Sequence, residues 1–413
     1  MRHLSLKTLA GGAAVLLAVL ACSVTSPTLP AAPLPTASPS PLPLVFTPTA
    51  PPATPVPTVT ATPAPLAPTA TPANLPFPVI ASPSIQFLDM LDANTGWAMT
   101  DAAILRTTDG GSTWYNTTPF QLPGSGLPSG AFFLDAANGW VAVTGADPTT
   151  GTLFHTNDEG VTWTSAAVPF GGGSLHFTDP LHGWELVGLN AGMSHESVAI
   201  FRSDDGGATW SRAFINEPAA PGTSDSLPLV GDKNGITALD AQHAWVTGSQ
   251  PSDNFIYLYM TQDGGTTWAH QDLNVPAAYN PAQTNAHLPV FFGPQDGVLP
   301  VQLFSNNNGT VFYVSKDGGQ SWNATTPLAQ GGQISLASAL DYFVWDGAAP
   351  LQVTHDGGVT WSSVSANINV SSMMVSLRFV NATTGWVLTA DASNHHMLYR
   401  TTDGGATWNV LIP

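Results

Sequence analysis

The sequence predicts an all-β protein: a seven-bladed β-propeller of four-stranded blades over residues 84–413, preceded by a disordered Pro/Thr/Ala-rich stalk. Three observations carry this. One eight-residue turn motif recurs seven times, with 39 to 58 residues between successive copies. Only 9% of residues are charged, against 39 Gly, 37 Pro and 13 Trp, a composition of short strands and tight turns with no signature of amphipathic helices. Residues 23–83 hold nineteen of the 37 prolines, and no charged residue falls between Lys7 and Asp89.

The chain opens with a leader pattern. Arg2, His3 and Lys7 form a positive start, residues 9–20 a short apolar stretch, and Leu20-Ala21-Cys22 a small-residue cleavage site. Cys22 is the sole cysteine, which excludes an intramolecular disulfide. The pattern resembles the lipobox of bacterial lipoproteins. That resemblance implies a signal peptide over 1–21, lipidation of Cys22, and an extracytoplasmic protein anchored by its lipid to the bacterial membrane or cell surface.

Residues 22–83 follow as a linker that cannot bury a core. Proline at this density favours an extended polyproline-like spacer of about 3.1 Å per residue, a reach on the order of 150 Å. From residue 84 the repeats begin. The strongest motif is Ser/Thr-x-Asp-x-Gly-x-Thr/Ser-Trp. Its aspartates are Asp109, Asp158, Asp205, Asp263, Asp317, Asp356 and Asp403, and its tryptophans Trp114, Trp163, Trp210, Trp268, Trp322, Trp361 and Trp408.

Each position has a mechanical reason. The carboxylate accepts backbone N–H groups of its own turn, glycine reaches backbone angles closed to other residues, and the indole enters the core at the start of the next strand. One carboxylate per turn is too few oxygen ligands for calcium.

A second motif precedes the box: Phe87-x-Asp89 before Gly96-Trp97, Phe133-x-Asp135 before Gly139-Trp140, Phe177-x-Asp179 before Gly183-Trp184, and Phe379-x-Asn381 before Gly385-Trp386. The fourth copy has Asp240 and Ala244-Trp245, the fifth reduces to Gly297-Val298, and the sixth places Phe343 at the Trp position. Each repeat therefore reads as four short strands, which is one blade. Closure of the ring by an exchanged strand is not evident unless Phe77 to Ala81 adds one.

The boxes are similar to the Asp-boxes, or bacterial neuraminidase repeats, of sialidases, xyloglucanases, sortilin-type receptors and photosystem II assembly and stability factors. Seven copies in about 330 residues behind a lipoprotein leader most resemble the last family. That resemblance implies a non-enzymatic propeller that binds membrane protein and assists its assembly. The sialidase resemblance would imply an arginine triad. Arg106, Arg202 and Arg400 occupy equivalent positions just before boxes 1, 3 and 7, separated around the ring. An extracellular glycoside hydrolase, sialidase-like or xyloglucanase-like, stands as the alternative.

The longest connections, 115–130, 211–234 and 269–287, supply a candidate ligand face: Tyr115, Arg212, Glu217, Asp225, His270 and Tyr279. No catalytic residue is assigned. His395-His396 lacks a third ligand nearby in sequence, so no metal or cofactor is expected. A net charge of -18 with only 9 Lys and Arg leaves no basic stripe for nucleic acid. The expected partners are a protein or glycan at the cell surface and the membrane through the lipid, with the protein itself monomeric.

Overall fold

The computed structural model of the chain describes residues 76–119 and 128–412. The leader, Cys22, the linker as far as residue 75 and residues 120–127 of the first long connection lie outside them. The described residues form seven antiparallel blades. Blade 1 comprises Phe87–Met90, Gly96–Met99, Ile104–Thr107 and Tyr115–Asn116, hydrogen-bonded in that order. Blades 2, 3, 6 and 7 repeat the order within 128–168, 174–215, 333–364 and 374–412.

Blades 4 and 5 are joined into one nine-stranded sheet. The link is Gln283–Ala286, which pairs with the second strand of blade 5 from Phe304 to Val301 and bridges Ser249 of blade 4 through Asn285. It is an extension of blade 5's first strand, which resumes at Val290–Phe291 against the same partner. Pro289, lacking an N–H, explains the break between them.

The two sequence motifs of a repeat serve different interfaces. Trp140, from the second strand of blade 2, packs in one buried cluster with Trp210, from the box of blade 3. Trp184 packs likewise with the blade 4 box residue Trp268, Trp245 with Trp322, and Trp386 with Trp114 across the closing seam. Each repeat thus supplies its box indole to the core before it, and all but the fifth supply a ring to the core after it, Val298 standing in that place in blade 5 and Phe343 in blade 6. Loss of a blade would uncover the large side chains its neighbours pack against it, and an indole in such a core is worth about 3–5 kcal/mol on truncation to alanine.

The glycine of the Gly-Trp pair answers to the aromatic across the ladder. Phe133, Phe177 and Phe379 face Gly139, Gly183 and Gly385, where a Cβ would come within 2.6–2.7 Å of the facing ring. Blade 4 replaces both members by alanine, Ala238 opposite Ala244. Blade 1 corrects the sequence reading: Met90, not Phe87, faces Gly96, and Asp92, not Asp89, accepts the turn N–H groups of Asn94 and Thr95 at 2.7 and 2.8 Å. The frame lies three residues further on, because Phe87 and Asp89 mimic the motif on a strand that continues past them. Asp89 instead pairs with Arg378 of blade 7 at 3.2 Å.

Closure does not exchange a strand between the last and first blades. Residues 78–80 lie along the outer strand of blade 1, Val79 bridging Tyr115. The seam itself is held by Arg378, by the Trp386 indole N–H on the Gly110 carbonyl at 3.0 Å, and by Arg400 on the Ala93 carbonyl at 2.9 Å.

Candidate functional site

The strand directions define two faces. One carries the boxes and the turns between first and second strands; the other carries the remaining hairpin turns and the blade-to-blade connections. In every box the Ser or Thr hydroxyl donates to the aspartate Oδ1 at 2.7–3.0 Å. That hydroxyl accepts the N–H four residues on at 2.8–3.0 Å. The same Oδ1 accepts a further backbone N–H at 2.8–2.9 Å.

The box N–H following the aspartate donates to the neighbouring turn of its own blade, as Gly110 does to Asn94 and Gly404 to Thr383. The turn aspartates Asp92, Asp135, Asp179 and Asp240 each accept two backbone N–H groups. Hydrogen bonds from Thr360 and then Thr354 hold Asp356 down to about 2, and those from Ser321 and Ser315 hold Asp317 below the usual carboxylate range. Strong acids locked as acceptors are turn fasteners and poor proton donors.

The three arginines before boxes are inter-blade fasteners. Arg106, Arg202 and Arg400 lie over Trp97, Trp184 and Trp386 of their own blades at 4.7, 4.8 and 5.4 Å. Each reaches the next blade: Arg106 to Glu159, Arg202 to the Gly264 carbonyl, Arg400 to Ala93. His155 fills the equivalent place in blade 2, stacked on Trp140 at 4.5 Å. Glu159 itself holds a positive φ of 65°, where the other six boxes have glycine.

The candidate ligand-face residues are spread over blades 1, 3 and 4. Tyr115 is buried in the outer strand of blade 1. Arg212 donates to the Pro221 carbonyl at 3.1 Å, Glu217 accepts from Asn190 at 3.1 Å, and Asp225 is exposed on the same blade 3 connection. His270 stacks on Phe255 at 4.5 Å, and Tyr279, in the short 3-10 helix Ala277–Tyr279, is buried over Gly309. His396 is buried against Ser84, while His395 is exposed. Among the described residues no three His, Cys, Asp or Glu side chains gather as a metal site.

Cavities form elsewhere, around the central channel. At its box-side mouth about 780 Å³ is enclosed by Phe132, Leu134, Phe177, Leu239 and Phe291 with Asp240. His176 lines it, donating from Nε2 to the Ala238 carbonyl at 3.0 Å, and burial pushes this imidazole down to about 4, so it is neutral at pH 7. Within the channel a second cavity of about 510 Å³ meets Asn234, Asn285, His287, Ser335 and Arg378. On the opposite face a third, about 320 Å³, is lined by Ser194, Asp232, Gln250, Gln283, Asn285 and Phe304.

The wall of this third cavity is anchored firmly. The long hairpin Gly183–Gly192 and His195–Ser203 ends at Met193, 98% exposed. Lys233 ties its tip end down, with Nζ donating to the carbonyls of Glu196, Leu229 and Gly231 at 2.8–2.9 Å. Burial lowers this ammonium to about 8. Sequence reasoning missed the cavity because its residues come from five separated stretches, and the strand that completes it is only four residues long.

Comparison with known proteins places the chain among propellers of this type. The family model described as photosynthesis system II assembly factor YCF48 matches residues 75–236, through the first three blades. A xyloglucanase of Paenibacillus sp is 31% identical over 140 residues, covering 28% of this chain and 13% of that protein. The photosystem II assembly lipoprotein Ycf48 of Synechococcus sp. (strain CC9902) is 29% identical over 157 residues, covering 38% and 37%. The matched stretches thus span well under half of either relative. Among solved structures, YCF48 bound to D1 peptide superposes with a TM-score of 0.50 at 18% identity over 79% of this chain and 95% of that one. The chain is a propeller of neuraminidase-type repeats resembling the photosystem II assembly factor.

Proposed function

We propose that this protein is a non-enzymatic cell-surface lipoprotein, anchored through Cys22 and held off the membrane by its proline-rich stalk, whose propeller binds a protein or glycan as an assembly-factor-like scaffold. The observation that carries the reading is the placement of the carboxylates. The seven box aspartates and four turn aspartates are engaged as backbone acceptors, and the three channel and loop-face cavities are lined by Asp240, by no carboxylate, and by Asp232 respectively. Glycoside hydrolysis needs two carboxyl groups about 5–10 Å apart across one sugar. A ring whose three cavities each present at most one carboxylate among the described residues suits recognition.

The similarity to xyloglucanases supports a second reading, an extracellular glycoside hydrolase. The two readings part on what the anchored protein holds. Cross-linking in its native membrane, followed by affinity recovery and mass spectrometry, is expected to return one defined membrane protein or wall glycan. Recovery of no partner, with shortened glycan accumulating in the medium, overturns the scaffold. Labelled fatty acid should enter the wild-type protein and fail to enter Cys22→Ala.

A further inference from the structure

We propose that the loop-face cleft between blades 4 and 5 is a binding site for a neutral oligosaccharide. The inference rests on the binding reading above and names its ligand class.

The cleft lies where sevenfold regularity fails. Among the described residues only blades 4 and 5 share a sheet, and the strand that joins them, Gln283–Ala286, lines the cleft. Asn285 on this strand lines both the cleft and the adjoining channel cavity. Its Oδ1 accepts from Asn234 Nδ2 at 2.6 Å, and Asn234 is held in turn by the Ala286 carbonyl at 2.8 Å. The two cavities therefore meet at an ordered pair of amides.

On either side of this pair a residue that lines a cavity keeps a buried polar atom with no partner among the described residues: Oε1 of Gln250, beside the cleft, and Nε2 of His287, beside the channel. Both are acceptors. Gln302 donates its amide to the Gly332 carbonyl at 2.8 Å and hydrogen-bonds the His287 ring. With the ring proton assigned to Nδ1, toward the Gln302 oxygen, Nε2 is a bare acceptor on a ring kept neutral by burial. Buried acceptors are normally paired, so both call for a ligand that brings donors.

Sugar hydroxyls meet this demand, because each can donate to such an acceptor and accept from an amide such as that of Asn285 or Gln283. Phe304, 45% exposed at the rim, offers an apolar surface to the C–H face of a sugar ring. The one charged group lining the cleft is Asp232, which admits neutral sugars and repels uronic or sialic acids.

The test uses the full-length protein in detergent micelles and isothermal titration with cellohexaose, xylohexaose and mannohexaose, with a tri-galacturonate and a random decapeptide mixture as contrasts. At least one neutral hexaose is expected to bind saturably, and Gln250→Leu and the rim variant Phe304→Ala each to weaken it at least tenfold while the melting temperature holds. Absence of neutral-sugar binding, preference for the galacturonate, indifference to both variants, or peptide binding lost in the same variants each overturns the proposal. Chromatography of the titrated sugar separates the two levels of the argument. Cleaved hexaose would defeat the non-enzymatic reading and leave the cleft standing, whereas a silent titration with a cross-linked partner still recovered defeats only the saccharide.

Discussion

The box face and the loop-face cleft are built from similar residues used in opposite ways. On the box face every Asp, Ser and Thr of the motif is hydrogen-bonded to its own turn, in the same pattern seven times. Beside the cleft, Gln250 keeps a buried oxygen without a partner among the described residues, and the geometry occurs once there. Regular repetition marks carboxylates and hydroxyls engaged in holding the ring; the cleft departs from that repetition. A substitution should therefore affect stability on one face and binding on the other.

The largest effect is expected inside the inter-blade core. Trp245→Ala should lower stability by about 3–5 kcal/mol, read from chemical denaturation, because its ring fills the contact between blades 4 and 5. Next comes the box. Asp263→Ala removes the acceptor for Thr261, Thr267 and the Thr267 backbone N–H, and should cost about 2–3 kcal/mol in the same assay. Gly385→Ala forces a methyl onto the Phe379 ring and should cost about 1–3 kcal/mol.

Acid should act on the box face as a set. Asp356 is held near 2 by Thr360 and Thr354, against 3.8 for an ordinary aspartate. Because the folded value is depressed, its contribution is complete above about pH 4 and is lost as pH falls toward 2. Asp317, held down first by Ser321, and Asp403, held down first by Thr407, behave in the same sense. A melting temperature that falls steadily over that window is expected, with a shallower fall in Asp356→Asn. The smallest effect on stability belongs to the cleft. Phe304→Ala should leave the unfolding free energy unchanged within about 0.5 kcal/mol, and any larger loss would mean the rim is part of the scaffold.

The ring was legible in the sequence because its signals repeat. Seven boxes fix seven blades, and the degenerate copies Gly297-Val298 and Phe343 fall where the pattern puts them, at the start of second strands. Blade 1 was misframed by three residues, since Phe87-x-Asp89 satisfies the motif letters while Met90 and Asp92 do its work. The possible edge at Phe77 to Ala81 was a real contact, though on blade 1 alone. The cleft was not legible. Gln283-Thr284-Asn285-Ala286 has neither a hydrophobic run nor strong β-formers, and its strand exists because two neighbouring second strands offer it partners. Side chains such as Tyr115 and Tyr279 drew notice as loop aromatics but are buried packing.

The central claim is that a propeller of hydrolase-like repeats has its box and turn aspartates engaged in structure and acts by binding. Prolonged incubation of the full-length protein at stoichiometric concentration with xyloglucan, cellulose oligomers and sialyl-lactose, followed by chromatography of the products, tests this most directly. The account predicts no released sugar above a protein-free control. Release that disappears in Asp232→Asn or Asp240→Asn, with the melting temperature intact, would contradict it.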